Sequence, residues 1–267
     1  MSESITSSSH AQPILSAPTP PAPLGHLLAW LVARSGVDED GFATVAFESP
    51  DAVAPGANDP VRMAEALSMA GLSSDALTLI AAALPPREGV WWASVAVREA
   101  VNVATSRAAA PPPPGKRPSL PPRAVELTAL TAVEQWIADP SDANRRAAWD
   151  AGQAAELSTA VGCACTAAFF TGGSIASPQS PMAVPPPAGA HVSLAAAAVL
   201  LSAVESDPNS LPKLVSVAIT HASEIARRLG GWEASATIAR QHFDSQREQH
   251  GAAIAAATPP MPPPPTG

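Results

Sequence analysis

Two cysteines, Cys163 and Cys165, are the residues whose type and spacing most directly suggest metal or redox chemistry. On a helix, residues two apart point about 200° away from each other, so the pair cannot chelate one ion unless the helix breaks. The histidines at 10, 26, 191, 221, 242 and 250 fall in no zinc spacing relative to the cysteines. The pair reads as small buried thiols in an Ala/Gly helix, and no metal is expected.

Thr171-Gly172-Gly173-Ser174 follows Phe169-Phe170 and has the look of a phosphate or oxyanion loop. It lacks the Gly-x-Ser-x-Gly elbow and the Gly-Lys-Ser/Thr ending of a P-loop. It also lies at the expected end of a helix, where the dipole disfavours anions, so it reads as a C-cap. His221 and Glu224 share a helix three residues apart and read as flank positions. No acid pair or triad stands out, and neither catalytic nor cofactor-binding residues are assigned.

The remaining candidate is the helix opened by Leu84-Pro85-Pro86-Arg87-Glu88-Gly89-Val90-Trp91-Trp92. At 100° per residue, Val90, Ala93, Val97, Val101 and Ala104 gather on a core face, while Arg87, Trp91, Ser94, Arg98 and Asn102 gather on another. Glu88, Trp92, Val95 and Glu99 lie beside that second face. Arg and Trp dominate binding hot spots because they combine area with directional contacts. Arg87, Trp91, Arg98, Glu88 and Glu99 are therefore either a structural ion-pair face or a patch for a protein partner. The two arginines are expected on carboxylates, with Asp139, Asp142, Glu126, or Glu88 and Glu99 of a neighbouring chain as the candidates. Trp92, Val97 and Val101 are expected in the core.

The elements that must carry these residues are helices. Asp59-Pro60 supplies an N-cap and an N1 proline, and Gly71 a stop. Ser73 or Ser74 caps a helix ended by Pro85, and Pro122 opens one ended by Asp139-Pro140. Ser141 starts Asn144–Glu156, and Ser158 opens a helix closing at Gly172-Gly173. His191–Glu205 is Ala-rich and looks buried all round. Leu211, Leu214, Val215, Ala218, Ala222, Ile225 and Leu229 make a one-sided stripe at helical spacing. A short helix over His26–Ser35 and one passable strand, Gly41–Glu48, complete the inventory. The expected class is all-α, a compact multi-helix body with disordered Pro-rich arms.

The 31 prolines mark the divisions. Residues 1–23 form a Ser/Pro-rich arm, 24–107 an N-terminal helical lobe, 108–121 a Pro-rich linker, 122–232 a C-terminal helical lobe, and 233–267 a stretch passing from helix to disordered Pro-rich tail. The sparse apolar residues after Gly231 predict a semi-detached helix that docks marginally. Leu-Pro-Pro-Arg occurs at 84–87 and again at 120–123, although the residues that follow disagree.

A net charge of −8 without a basic run repels phosphate backbones, which argues against nucleic acid as a partner. No apolar window reaches the ~20 residues of a membrane span, so no membrane insertion is expected. The N-terminus has no apolar h-region, and the cysteine usage fits a reducing compartment; together they make the cytoplasm the expected location.

Three segments together resemble a family of uncharacterised bacterial proteins, a domain of unknown function. They are Leu84 to Ala93 (a Leu-Pro-x-Arg-Glu-x-Val-Trp-Trp-Ala motif), Ala138 to Ala148, and Ala167 to Ile175. Members typically carry Lys in place of the second Pro and Glu-Ala in place of Glu-Gly. The resemblance spans roughly 60–230 and implies a helical fold and bacterial origin, with a loose association with contractile secretion gene sets. It supplies no catalytic residues. The function expected is a non-catalytic helical scaffold or adaptor with a protein partner, accessory to a secretion apparatus. The alternative is an enzyme or small-molecule-binding protein in which Arg87, Arg98 or His221 holds an anion.

Overall fold

The structure, a computed structural model, describes Val45, Phe47 and residues 59–112, 121–180 and 182–257. The expected helix at His26–Ser35, the arm 1–23 and the tail 258–267 lie outside these residues, as does most of the expected strand. Val45 and Phe47 have no regular secondary structure and pack against the core.

Among the described residues there are nine α-helices and no strand: α1 (Pro60–Met69), α2 (Ser73–Ala83), α3 (Pro86–Ala109), α4 (Ala124–Ala138), α5 (Asp142–Ala154), α6 (Ala160–Phe169), α7 (Ala190–Ser206), α8 (Leu211–Arg228) and α9 (Trp232–Ala257). The protein is all-α. Local chemistry sets many of the ends. The Asp59 carboxylate accepts the Val61 N–H at 3.0 Å, with Pro60 at the first helical position of α1. The Ser141 hydroxyl accepts the Asn144 N–H at the start of α5. Two caps differ from expectation by one residue. Leu72 rather than a serine is the N-cap of α2 and makes no side-chain cap bond, and Thr159 rather than Ser158 caps α6.

The core is built from small residues. α7 lies against α2, α3, α6 and α8 and is the hub of the packing. Complete enclosure belongs to α6, all ten of whose residues are buried, rather than to α7, where Val204 is exposed. An Ala/Gly/Cys helix brings its backbone close to neighbours, so dispersion contacts substitute for large side chains. Trp92 and Val97 are buried as expected, whereas Val101 is only half-buried. One apolar cluster takes in Val90 and Val97 of α3 together with Leu130 and Val133 of α4, so the segments on either side of the Pro-rich stretch share a core.

α9 departs from the expected marginal docking. Its first half is anchored: Ser235, Ala236 and Ala239 are buried, and the Ser235 hydroxyl donates to the Ala83 carbonyl at the end of α2. A serine on that face satisfies an orphan helix-end carbonyl, which apolar periodicity could not reveal. Farther along, Arg247 to Gln249 are exposed. Among the described residues no single helix is long and apolar enough to cross a membrane.

Candidate functional site

The N-terminal ends of three successive helices carry arginines that reach the C-terminal end of the next helix. Arg87 of α3 donates through Nε and Nη2 to the Ile137 carbonyl of α4, at 2.8 and 2.5 Å. Arg123, the N-cap of α4, donates to the Ala155 carbonyl at the end of α5 and pairs with Glu126 and Glu156. Arg145 of α5 donates to the Phe169 carbonyl at the end of α6, at 2.7 Å. Antiparallel neighbours place each cation at a helix C-terminus, where unsatisfied carbonyls and the dipole favour it. The two Leu-Pro-Pro-Arg copies sit in different frames: Arg87 lies inside its helix and Arg123 caps its own.

Arg145 is the most enclosed of the three, 4% exposed. Its guanidinium lies 4.6 Å from the Phe169 ring centroid, bonds Asp142, and donates to the Ser174 carbonyl at 2.8 Å. Arg146 donates to the Ser174 and Ala176 carbonyls and also pairs with Asp142. Burial raises the Asp142 carboxyl, but hydrogen bonds from Arg146 and Arg145 outweigh it and hold the group below the usual range. Gly173 has φ +69°, and a Cβ there would come 3.0 Å from Arg145 Nη2. The Thr171–Ser174 loop thus follows a helix terminus and is clasped by arginines that donate to the Phe169 and Ser174 carbonyls. Trp149 stacks on Phe169 at 4.7 Å, and Gln246 of α9 donates to the Thr171 carbonyl. Sequence reasoning found this loop but missed its clasp. The Arg145-Arg146 pair, following an acid by three and four residues, was the available signal.

The five candidate residues Arg87, Glu88, Trp91, Arg98 and Glu99 all line one groove of about 550 Å³ between α3 and α4, together with Val95, Glu134 and Ile137. Arg98 forms a two-pronged pair with Glu134, Nε–Oε1 2.9 Å and Nη2–Oε2 2.5 Å. Glu134 was not among the expected carboxylates. Asp142 and Glu126 are engaged by Arg145, Arg146 and Arg123 instead. Arg87 is held by a backbone carbonyl rather than a carboxylate, because its helix end faces the end of α4. Trp91 is half-buried, with Arg228 5.9 Å from its ring centroid. Burial raises the Glu88 carboxyl, opposed by its own backbone N–H and by the charges of Arg87 and His242. Glu99 lies 3.9 Å from His221 Nε2. The Ser94 hydroxyl donates to the Trp91 carbonyl, a local helix bond.

The cysteines point to different neighbours, Cys165 Sγ to the Ala129 carbonyl and Cys163 Sγ to the Leu157 carbonyl. Burial pushes the Cys165 thiol up to about 12, far from a nucleophilic thiolate. Among the described residues no group of three His, Cys, Asp or Glu is placed to hold a metal ion.

A family model, described as a family of unknown function (DUF6931), matches residues 63–226. The chain belongs to that family. The DUF6931 match runs from α1 to α8 and so includes the groove and the arginine clasps, while α9 lies beyond it. No curated protein and no solved structure matches the chain.

Proposed function

We propose that this DUF6931 member is a non-catalytic helical adaptor that binds a protein partner through the α3–α4 groove. One observation carries the reading: a half-buried tryptophan lies in a groove whose arginines are already held by intramolecular acceptors. An aromatic anchor beside arginines already held in place is the arrangement of a binding hot spot. The same observation weighs against the anion-binding alternative, because an anion would have to displace Glu134 from Arg98 or a carbonyl from Arg87. The lining supplies no nucleophile with an adjacent base, since Ser94 is directed to its own helix. Bacterial origin and service to a contractile secretion apparatus are what the family resemblance adds to this reading, and the cysteine usage adds a cytoplasmic setting.

The test is site-specific photo-crosslinking in the native host with the crosslinker at position 91, set against a control at Arg62, an exposed position on α1. A discrete adduct from position 91 and none from the control supports the adaptor. A metabolite that raises the melting temperature of the protein and competes for the groove supports the enzyme or small-molecule reading instead.

A further inference from the structure

We infer that the groove receives a partner segment presenting a lysine or arginine side chain flanked by apolar residues. The inference rests on the binding reading above and adds the chemistry of the partner.

Charge accounting within the groove gives the sign. Of its two cations, Arg98 is matched through both prongs by Glu134, and Arg87, fixed on the neutral Ile137 carbonyl, keeps its charge beside Glu88. One acid is left over, since the lining sets two arginines against three glutamates. Glu88 feels the charges of Arg87 and His242, whereas Glu99 is exposed and has only His221, 3.9 Å away. The charge still open to a partner is therefore negative, and the chain as a whole carries −8. Complementary potentials steer encounter and reject like-charged partners.

The apolar surfaces around Glu99 give the rest. On one side, Trp91, Val95 and Ile137 line the groove of about 550 Å³. On the other side, Glu99 borders a second groove of about 340 Å³, whose walls include Val103, Leu214 and Val217. A cation placed on Glu99 would thus have apolar surface to either side, room for a few side chains and no more. The molecule already shows the kind of contact proposed: Arg228 rests 5.9 Å from the Trp91 centroid while sharing Glu224 with Arg227.

The experiment is a selection of random short peptides displayed against the full-length protein, followed by titration of synthetic winners. The variants are Trp91→Ala and the double variant Glu88→Gln/Glu99→Gln, each confirmed folded by its thermal melt. The inference expects winners enriched in Lys or Arg beside Leu, Ile or Phe. It expects affinity to fall about tenfold in the double variant, roughly the loss of one charge pair, and to weaken with added salt. Because Glu88 and Glu99 reach solvent, the double variant keeps the test open even where Trp91→Ala unfolds. Winners that need Trp91 but carry no basic bias, or an acidic one, overturn this inference and leave the binding reading standing. Winners indifferent to both variants, or no winners, overturn both.

Discussion

Trp92 of α3 donates its indole N–H to the Ala218 carbonyl of α8 at 2.8 Å, joining positions 126 residues apart. The indole is 1% exposed, so a polar group that would be costly to bury alone is satisfied at the centre of the packing. Trp92→Ala is expected to cost about 3–5 kcal/mol. Trp92→Phe, which keeps a six-membered aromatic ring but leaves the Ala218 carbonyl without the indole donor, is expected to cost roughly 1–3 kcal/mol. Urea melts check both; a loss under about 1 kcal/mol for Trp92→Ala would show that the side chain is dispensable to the core.

Arg145 and Arg98 give opposite expectations. Removing Arg145 leaves the Phe169 carbonyl and an aromatic face without their buried cation and the Ser174 carbonyl with Arg146 alone, at a cost on the order of 3 kcal/mol. Arg145→Lys should recover little, because an ammonium cannot reproduce the fork. Arg98 and Glu134 are both partly exposed, and Arg98→Ala should cost less than about 1 kcal/mol. Equal losses in paired denaturant melts would refute this assignment of structural weight to the loop clasp.

Gly152 lies in the middle of α5, where exchange for alanine ordinarily stabilises a helix. Here an added Cβ would lie 2.5 Å from Cys165 Cβ. Gly152→Ala is therefore expected to destabilise by about 1–3 kcal/mol, and a second change, Cys165→Gly, to restore part of the loss. Additive losses in the double variant would mean that the two positions do not meet.

His191 is enclosed beside Phe243, and burial, with a smaller contribution from the charge of His242, lowers its pKa to about 3. The unfolded chain binds a proton at this residue near pH 6.5 while the folded one resists it. The stabilisation is present above about pH 6.5 and is lost as pH falls toward 3. Wild type should lose stability over that window more steeply than His191→Phe. Parallel profiles from melts at several pH values would assign the acid sensitivity elsewhere.

Short-range chemistry was legible. Asp59-Pro60 and Ser141 mark helix starts because a carboxylate or hydroxyl satisfies an N–H two or three residues on, a relationship contained within the sequence. The apolar spacing on α8 selected a stripe whose Val215, Ala218, Ala222 and Ile225 are buried. The same periodicity placed Arg87, Trp91 and Arg98 on one face, and they line one groove. Val101 was misjudged because periodicity identifies a face but not how far along the helix its cover extends.

What the sequence by itself determined is the all-α class, most helix boundaries and the grouping of candidate residues on α3, since each follows from local hydrogen bonding and the 3.6-residue period. Only the tertiary structure decided where the arginines went. Glu134 rather than Asp142 meets Arg98, a carbonyl rather than a carboxylate meets Arg87, and the Gly-Gly loop is clasped by Arg145. Such partners are fixed by which helix ends lie side by side, and a helix end carries no mark in sequence of the neighbour that will face it. The docking of α9 has the same origin: one serine reaches the end of α2, 152 residues away.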